Sequence, residues 1–506
     1  MQDDVFEFLS SPSLHGGAEV RRCDTHAAAV FLAGDRALKV KKAVRFPFLD
    51  YSSLDKRKAA CRAELEVNRR FSPELYRRIV AVTRESDGRL ALDGKGEPIE
   101  WAVEMTRFDE SRTLDHIADR GNFDDAMPKK LAAMVASMHR RAEPVDAAPW
   151  LDALPKYVGR NTAAFQEQRV FSPNTVTELD EKSRKALKRL RPLLTKRGQQ
   201  GLVRRGHGDL HLGNIAVLGD KPIPFDAIEF DPVIAAGDVL YDLAFLLMDL
   251  VERDLVGAAN RVLNGYFAET RRGEDDEGLE ALPFFMSLRA AIRANVTAAR
   301  LKQTEPHEHE ELVASAKRYF QLALDLLAPA TPTVICTAGL SGTGKSVLAQ
   351  SLAAALKPIP GALVLRSDIE RKAAFGVGET EKLPPEAYQP GASERIYGLL
   401  TERTRRIAQA GYSVIVDAVF AKEFERAAIE AAARDAGASF HGLFLTADLQ
   451  TRLKRIGGRG PDASDADAKV ALQQEEFNLG PMNWSKVDAS GTPAETLASA
   501  QALLGR

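Results

Sequence analysis

His-Gly-Asp-Leu-His-Leu-Gly-Asn occupies residues 207–214, and Asp226 follows after a short predicted hairpin. Phosphoryl transfer from ATP to a hydroxyl group needs a carboxylate that accepts the hydroxyl proton, and oxygen ligands for the Mg²⁺ bound to ATP. An Asp and an Asn with four residues between them, followed by a second Asp, form such a set. We therefore predict that Asp209 is the catalytic base and that Asn214 and Asp226 are metal ligands.

The composition is typical of a globular protein and argues against several other classes. The chain has 506 residues, too many for one ordinary hydrophobic core, so we expect two or three domains. Its net charge of -2 gives no general argument for a nucleic-acid or membrane partner. The cysteines are few and widely separated, the N-terminus lacks a signal-peptide pattern, and no apolar run approaches the ~20 residues of a spanning helix. We expect a cytoplasmic protein.

Two short strands joined by a turn are predicted over residues 25–41. Lys39 and Lys41 share one face of the second strand, because side chains repeat every two residues. A strand lysine that contacts the ATP phosphates is a standard part of kinases, and we assign this role to Lys39. Glu64, on the helix predicted next, can pair with that lysine, and Glu66 is the alternative. Solvent-exposed positions are the structural alternative for all of these residues.

The strand predicted over residues 99–105 leaves this small lobe. In a kinase-like fold the end of such a strand is the hinge, so backbone groups around Glu104 and Met105 are predicted to meet adenine. A strongly basic helix is predicted further on, over residues 176–197. We interpret its charges as a solvated face, because no aromatic residues flank them as stacking partners for nucleic acid.

These motifs together resemble the aminoglycoside phosphotransferase family. The resemblance rests on His-Gly-Asp-Leu-His-x-x-Asn, the downstream Asp226 and Gly-Asp-x-x-x-Asp-Leu-Ala at 237–244, and it covers about residues 20–325. It implies a bilobal protein-kinase-like domain, ATP with Mg²⁺, and phosphorylation of a small-molecule hydroxyl group. Choline kinase-like and homoserine kinase-like enzymes are similar, so the acceptor stays open. The resemblance also implies a structural role for His207 and a role for Asp242 in bracing the catalytic loop.

Two features depart from the pattern of that family. No Gly-x-Gly-x-x-Gly sequence is present in the first strands to cover the phosphates. The segment between Asp226 and Gly237 is longer than usual and carries two further acids, Glu229 and Asp231. We interpret Asp231 as a surface acid, and leave Glu229 open between a metal ligand and a surface acid.

A second nucleotide motif follows the point where the helical pattern stops, at residues 329–332. A buried-type strand over 333–338 leads into Gly-Leu-Ser-Gly-Thr-Gly-Lys-Ser and an Ala/Leu-rich helix, the setting that the P-loop motif requires. Backbone N–H groups of such a loop wrap the phosphates, and the helix N-terminus adds partial positive charge. Lys345 is predicted to reach the β- and γ-phosphates, and Ser346 to bind Mg²⁺. The predicted nucleotide-binding residues are Gly339, Ser341, Gly342, Thr343, Gly344, Lys345 and Ser346.

Two predicted strands end in acids near this phosphate site. Asp368 follows a strand over 362–365, and Asp417 ends a strand over 413–417. Ligands bind at the carboxyl ends of the strands in open α/β sheets. We therefore predict that Asp368 activates a substrate hydroxyl and that Asp417 is an acid linked to Mg²⁺. Capping or turn roles are the structural alternatives.

Three arginines, Arg452, Arg455 and Arg459, precede an acidic segment near the C-terminus. An arginine-bearing lid that closes on ATP would neutralise charge on the transferred group, and we assign Arg455 and Arg459 to the ATP site. Solvated arginines are the alternative. The order of P-loop, Arg-Ser-Asp-x-x-Arg, strand Asp and arginine-rich segment resembles P-loop kinases of the gluconate kinase and zeta-toxin type, over about residues 331–506. The whole combination is similar to bacterial proteins described as AAA-family ATPases or predicted kinases.

The sequence thus predicts a chain of mixed α+β and α/β class with two domains. Residues 1–329 form a kinase-like domain, and residues 330–506 form a P-loop domain with a parallel sheet flanked by helices. The leading hypothesis is a bifunctional phosphotransferase that uses ATP and Mg²⁺ and acts on small-molecule hydroxyl groups, without membrane or nucleic-acid partners. A nucleotide-gated regulatory ATPase, and a polynucleotide kinase activity in the second domain, are the alternatives. The sequence identifies neither acceptor, nor an oligomeric state.

Overall fold

The computed structural model describes residues 2–46, 49–302, 304–458, 460 and 462–505. The chain divides into two compact units, one ending at Arg253 and the other beginning at Asp254. The domain boundary predicted after residue 329 therefore lies inside the second unit. Among the described residues, no helix combines the length and the apolar character needed to cross a membrane.

A six-stranded antiparallel sheet forms the small lobe of the first unit, in the order β1-β2-β3-β8-β6-β7. Phe31, Leu38, Val40 and Ala102 are buried on one face of the sheet. The six strands are β1 (Val20–Asp24), β2 (Ala28–Ala33), β3 (Arg36–Lys41), β6 (Tyr76–Arg84), β7 (Leu90–Leu92) and β8 (Glu97–Thr106), and β4 (Arg45–Phe46) and β5 (Leu49–Asp50) form a separate antiparallel pair. Helix α1 (Gln2–Ser10) precedes the sheet, and α2 (Leu54–Phe71) packs against β8 and β6. Ser53 caps α2 by accepting the N–H of Lys56.

Helices dominate the larger lobe of the first unit, and two short antiparallel strand pairs flank the loop of residues 207–214. In the basic helix, Leu187, Leu190 and Leu194 are buried, as expected for a helix with one solvated face. The helices are α3 (Leu114–Asp119), α4 (Met127–Arg141), α5 (Ala148–Gln168), α6 (Pro173–Gln199), α7 (Pro232–Ala235) and α8 (Val239–Glu252). The strands are β9 (Val203–Arg205), β10 (Ile215–Leu218), β11 (Lys221–Pro224) and β12 (Ala236–Asp238), paired as β10-β11 and β12-β9.

Helices α9 to α12 open the second unit, and two of them pack on the P-loop sheet and its helices. The amide of Asn260 donates to the Ala362 carbonyl at 3.0 Å, and the Val364 N–H donates to Asn264 Oδ1 at 2.7 Å. Asp276 accepts hydrogen bonds from Arg403. The four helices are α9 (Val256–Thr270), α10 (Gly273–Gly278), α11 (Leu282–Ala299) and α12 (His309–Leu326).

A five-stranded parallel sheet lies at the centre of the second unit, in the order β14-β15-β13-β16-β17. The predicted parallel sheet with flanking helices is confirmed. The strands are β13 (Thr333–Ala338), β14 (Leu363–Arg366), β15 (Val414–Asp417), β16 (Ser439–Thr446) and β17 (Ser485–Asp488). The helices are α13 (Lys345–Ala353), α14 (Ser367–Ala374), α15 (Pro390–Gln409), α16 (Glu423–Asp435), α17 (Leu449–Gly457), α18 (Ala468–Gln474) and α19 (Pro493–Leu503).

Candidate active sites

The catalytic loop between β9 and β10 is held in place from α8. Asp242 accepts hydrogen bonds from the His207 N–H at 2.9 Å and from the Gly208 N–H at 3.0 Å. The His207 imidazole is buried and makes a 2.9 Å hydrogen bond with the Phe225 carbonyl. Burial lowers the pKa of His207 below its usual value, which favours the neutral ring. These contacts fix the backbone that carries Asp209.

The candidate base and the first candidate metal ligand are in direct contact. The Asn214 amide donates to both the carbonyl and the Oδ2 of Asp209, each at 3.0 Å. The β10-β11 hairpin then returns the chain, so that the Phe225 N–H donates to the Asn214 carbonyl at 2.9 Å. The neighbouring residue along the chain, Asp226, is thereby brought close to the catalytic loop.

Asp226 adopts an unusual backbone conformation that several contacts hold. Its φ is 62°, a region that few residues other than glycine adopt. Its N–H donates to the Tyr76 hydroxyl at 3.0 Å, and its Oδ1 lies 2.5 Å from Lys39 Nζ. Desolvation by the surrounding cleft raises the pKa of Asp226, although its side chain is 48% exposed, but the Lys39 ammonium outweighs this effect and holds that pKa below the ordinary value. Asp226 is therefore an anion that can serve as a metal ligand.

Glu64 is the acid that pairs with the strand lysines, whereas Glu66 is exposed. The Glu64 carboxylate is fully buried and lies 2.7 Å from Lys39 Nζ and 2.6 Å from Lys41 Nζ. Burial raises the pKa of Glu64, but the two ammonium groups outweigh it and lower that pKa overall. Burial lowers the pKa of Lys39, but Asp226 and Glu64 outweigh it, so the pKa lies well above the usual value. Both partners are therefore charged.

The second lysine of β3 joins an ion pair that sequence reasoning missed. Lys41 Nζ lies 2.5 Å from Glu229 Oε1, which also accepts the Tyr51 hydroxyl at 2.9 Å. Glu229 is thus held by side chains of the small lobe. Asp231 accepts the N–H groups of Val233 and Ile234 and so caps helix α7. Side chains repeat every two residues along a strand, which placed Lys41 on the same face as Lys39. No local sequence pattern indicated that Glu229 is its partner.

Replacing Glu229 by glutamine is expected to lower the free energy of unfolding of the first unit by about 2 kcal/mol, because a buried charged hydrogen bond is lost. Trp101 and Trp150 lie in this unit and Trp484 in the other. Urea unfolding followed by tryptophan fluorescence in a Trp484→Phe background therefore reports on the first unit. Asp231→Asn is the matched control, since asparagine keeps the capping oxygen. Equal stability of the two variants would contradict this role of Glu229.

A cavity of about 880 Å³ opens between the small-lobe sheet and Asp226. Lys39, Tyr76 and Met105 line it, so the cavity contains both the lysine predicted to contact phosphate and one residue of the predicted hinge. The Glu104 side chain contacts Arg78, with Oε2 2.8 Å from Nε. Its strand also pairs with β3 on one side and β6 on the other. Adenine contact by the backbone near Glu104 and Met105 stays a prediction.

The donor atoms of this site fit Mg²⁺ carried by a nucleotide. Asn214 and Asp226 offer oxygen ligands, which Mg²⁺ prefers, and nucleotide-bound Mg²⁺ typically takes only one or two carboxylates plus phosphate oxygens. No group of three or more His, Cys, Asp or Glu side chains suited to a metal occurs in the part of the chain that the structure describes. Asn214 and Asp226 therefore suit an Mg²⁺ ion that also binds nucleotide phosphates.

The P-loop lies between β13 and α13, and its glycines are required by geometry. A Cβ atom on Gly339 would stand 2.4 Å from the Leu445 carbonyl oxygen, and one on Gly342 would stand 2.7 Å from that of Arg452. Gly342 and Gly344 also have φ values of 85° and 91°. The backbone can thus form a concave loop in front of the helix N-terminus.

Hydrogen bonds connect the P-loop residues that are predicted to contact phosphate and Mg²⁺ with their neighbours. The Ser346 hydroxyl donates to Asp417 Oδ2 at 2.5 Å, and Lys345 Nζ donates to the Leu340 carbonyl at 3.0 Å. The Ser341 N–H donates to Gln474 at 2.7 Å, and the Thr343 hydroxyl donates to the Leu340 carbonyl. A hydroxyl and a carboxylate in contact are suitable Mg²⁺ ligands beside a P-loop.

Asp368 lies in the first turn of α14 and shares a cavity of about 860 Å³ with Lys345, Ser346 and Asp417. Burial and the charge of Asp417 raise the pKa of Asp368 above its ordinary value, while Lys345 opposes the shift. A raised pKa strengthens a carboxylate as a proton acceptor. Arg366, at the end of β14, lies 3.4 Å from Asp417 and 3.0 Å from Asp462.

The three arginines near the C-terminus have different surroundings. Arg452 is buried and its Nε donates to the Ser341 carbonyl at 2.8 Å, so it braces the P-loop. Arg455 lines the cavity, and its Nη2 donates to the Gly491 carbonyl at 2.7 Å. Arg459 lies outside the described residues. The role of Arg455 at ATP stays a prediction.

Two family models match the chain, one for each set of motifs. Residues 31–277 match the phosphotransferase enzyme family, and residues 334–478 match an AAA domain. The chain is a fusion of an aminoglycoside phosphotransferase-like domain with a P-loop kinase-type AAA domain. It is an ATP-dependent kinase.

Similar proteins include chains that resemble the whole fusion and chains that resemble one part. An uncharacterised protein of Mycobacterium tuberculosis is 27% identical over 490 residues, which cover 94% of each chain. A gluconokinase structure from Sinorhizobium meliloti is 20% identical and covers 35% of this kinase and 94% of its own chain, with a TM-score of 0.26. A choline/ethanolamine kinase family structure from Mesorhizobium loti is 14% identical and covers 64% and 98%, with a TM-score of 0.33.

Proposed function

We propose that the protein is bifunctional and that each site transfers the γ-phosphoryl group of Mg-ATP to a small-molecule hydroxyl group. The observation that carries this proposal is a complete set of residues in each half. Asp209 contacts Asn214 next to the Lys39–Asp226 pair. Asp368 shares one cavity with the P-loop and Asp417. A switch that only hydrolyses ATP does not need a candidate base in both halves.

In the kinase-like half, the residues have separate tasks. Asp209 accepts the proton of the attacking hydroxyl group, and Lys39, held by Glu64, contacts the ATP phosphates. Asn214 and Asp226 would hold Mg²⁺, which neutralises charge on the phosphates when it is bound. Asp242 acts indirectly by fixing the loop on which Asp209 lies.

In the P-loop half, Asp368 accepts the hydroxyl proton and Lys345 contacts the phosphates. Ser346 and Asp417 would hold the second Mg²⁺. Arg366 joins this set because its guanidinium lies beside Asp417 at the phosphate end of the sheet. It can stabilise charge on the transferred group.

We retain residues 1–329 and 330–506 as the functional domains. The first family match ends at 277 and the second begins at 334, which supports a junction between these positions. A cytoplasmic location is also proposed, because Cys23, Cys61 and Cys336 are free thiols.

The full chain with Mg-ATP and a panel of hydroxyl compounds tests bifunctionality. The panel contains choline, ethanolamine, an aminoglycoside, gluconate and a 5′-hydroxyl oligonucleotide, and mass spectrometry identifies the phosphorylated products. We expect Asp209→Asn and Lys345→Ala to abolish different products. Release of ADP and inorganic phosphate without any phosphorylated compound would instead favour a regulatory ATPase. Loss of one and the same singly phosphorylated product in both variants would show one site, not two.

A further inference from the structure

Helices α9 and α10 belong to one family match but are bound to the fold of the other. Helix α9 and Asp276 of α10 lie within residues 31–277, which match the phosphotransferase family. Both helices nevertheless pack inside the second unit, against elements of the segment that matches the AAA domain. Their contacts reach β14 and α14, the strand that ends at Arg366 and the helix that carries Asp368.

The first set of contacts fixes the strand. β14 is the terminal strand in the order of the sheet, so one of its edges faces away from β15. The Asn264 amide of α9 donates to the Ala362 carbonyl at 3.1 Å, and Asn264 Oδ1 accepts the Val364 N–H at 2.7 Å. Asn260, which is buried, donates to the same carbonyl at 3.0 Å. Asn264 therefore pairs with this edge as a neighbouring strand would.

The second set of contacts fixes the helix. The Asp276 carboxylate accepts Nε of Arg403 at 3.0 Å and Nη2 at 2.8 Å, and it also accepts Arg406 at 3.1 Å. The third nitrogen of the Arg403 guanidinium, Nη1, lies 2.5 Å from Glu370 Oε1 on α14. The Glu370 side chain is 13% exposed and follows Asp368 by two residues. Arg403 thus connects a buried carboxylate of α10 to α14 through charge-assisted hydrogen bonds.

We infer that α9 and α10 are part of the P-loop kinase site, in which Asn264 and Asp276 are positioning residues for Asp368. The inference rests on the function proposed for that site. Both residues act on β14 and α14, the pair of elements that places the candidate base. Lys345 begins α13 and Asp417 ends β15, so the candidate base lies on different elements from these groups. A displacement of about 1 Å at a reacting group lowers a rate by about 10²-fold.

This arrangement separates nucleotide binding from transfer. Lys345, Ser346 and Asp417, which are proposed to contact the phosphates and Mg²⁺, do not depend on the position of α14. During transfer, the acceptor oxygen bonds to the γ-phosphorus of ATP, the bond from that phosphorus to the bridging oxygen breaks, and ADP leaves. The hydroxyl proton moves to the Asp368 carboxylate. A shift of α14 therefore slows this step while Mg-ATP still binds.

Substitutions in the full-length protein test this inference. Glu370→Gln removes the ionic contact with α14 but leaves the ion pair between α10 and α15, and Asn264→Ala removes a contact with the edge of β14. Glu402→Gln is the matched control, because Glu402 is an exposed acid of α15 that pairs with Arg405. Every protein also carries Asp209→Asn, so that transfer to an acceptor reports on the P-loop site.

The measurements distinguish binding, transfer and local order. Transfer is followed with the compound of the panel whose product Lys345→Ala abolishes. Calorimetry measures Mg-ATP binding, and the binding event that is lost in Lys345→Ala belongs to the P-loop site. Its stoichiometry gives the fraction of folded protein, and rates are expressed per folded protein. Hydrogen exchange followed by mass spectrometry compares peptides from α14 with peptides from α13.

We expect Glu370→Gln and Asn264→Ala each to lower kcat for transfer by about tenfold or more and to raise the KM of the acceptor. The Kd of Mg-ATP should stay within about threefold of the parent value. Amide exchange in α14 should be faster than in the parent, while exchange in α13 is unchanged. Glu402→Gln should match the parent in all three measurements.

A double-mutant cycle tests whether Asp276 acts through Glu370. Asp276→Asn alone should lower kcat per folded protein by about the same factor as Glu370→Gln. Added to Glu370→Gln, it should lower kcat by less than about twofold further, because both substitutions interrupt one network. Asp276→Glu keeps the carboxylate and should recover part of the rate. Additive losses in the double variant would overturn this role of Asp276.

The remaining outcomes separate this inference from the proposed function. A kcat equal to that of the parent in Glu370→Gln and Asn264→Ala would overturn the inference and leave the kinase function intact. Loss of Mg-ATP binding in parallel with kcat would show general damage to the site and would also overturn it. If the parent transfers to no acceptor, the proposed function is wrong and hydrogen exchange decides the inference. Faster exchange in α14 alone then supports the positioning of this helix, and unchanged exchange overturns it.

Discussion

Asp209→Asn is expected to slow phosphoryl transfer at the kinase-like site by about 10³-fold, because asparagine cannot accept the hydroxyl proton. The substitution keeps the size of the side chain and an oxygen that can accept the Asn214 amide, which lies 3.0 Å away. The Kd of Mg-ATP should therefore change by no more than about threefold. Product formation from the acceptor found in the panel, measured in a Lys345→Ala background, gives the rate of this site alone.

Asp220→Asn is the control for this substitution. Asp220 is exposed and pairs with Lys130 at 3.0 Å, so its replacement removes one carboxylate of the same lobe without touching the catalytic loop. Its rate should equal that of the parent protein. A decrease of less than about tenfold in Asp209→Asn would show that another group accepts the proton.

Asp276→Asn is expected to lower the free energy of unfolding of the second unit by about 3–5 kcal/mol. Asp276 is fully buried in α10, and its carboxylate lies 2.8 Å from Arg403 and 3.1 Å from Arg406. Arg403 also contacts Glu370 at 2.5 Å. Replacement by a neutral amide leaves the two arginines with one carboxylate fewer, and the Asp276 position itself is fully buried.

Trp484 alone reports on this unit in a Trp101→Phe, Trp150→Phe background. Urea unfolding then compares Asp276→Asn with Glu274→Gln, an exposed acid of the same helix. We expect the control to stay within about 0.5 kcal/mol of the parent. A decrease of less than about 1 kcal/mol in Asp276→Asn would mean that these contacts contribute little to the fold.

The same contacts predict how the chain tolerates truncation. A fragment that begins at residue 330 lacks Asp276 and the two asparagines of α9 that bind the backbone of residues 362–364. A fragment that begins at Asp254 keeps them. We expect the shorter fragment to unfold at a lower urea concentration than the longer one, with Trp484 fluorescence as the measurement. Equal midpoints would show that residues 330–506 are stable without the preceding helices.

Glu370 links this ion network to the P-loop site. It lies two residues after Asp368 and one before Arg371 in α14. Its contact with Arg403 therefore orients the helix that carries the candidate base. This link gives Asp276 a second measurable role, because a loss of order in α14 would raise the acceptor KM at the P-loop site.

The sequence by itself determined the features that depend on neighbours along the chain. The P-loop motif has glycines at fixed positions between a strand and a helix. In the loop at 207–214, Asp209 and Asn214 are close in sequence and their side chains are in contact. Strand ends also follow from local pattern, which is why the sequence placed Asp368 just after one strand and Asp417 at the end of another. Such features are readable because backbone geometry over a few residues has few solutions.

Only the tertiary structure decided which charges meet across long separations. Glu229 pairs with Lys41 over 188 residues of sequence, and Asp276 pairs with Arg403 over 127 residues. A charged side chain looks the same in sequence whether water, a counter-ion or a ligand surrounds it, because its environment is set by how distant elements pack. The local motifs could therefore be predicted from the sequence, and the long-range ion pairs appeared only in the fold.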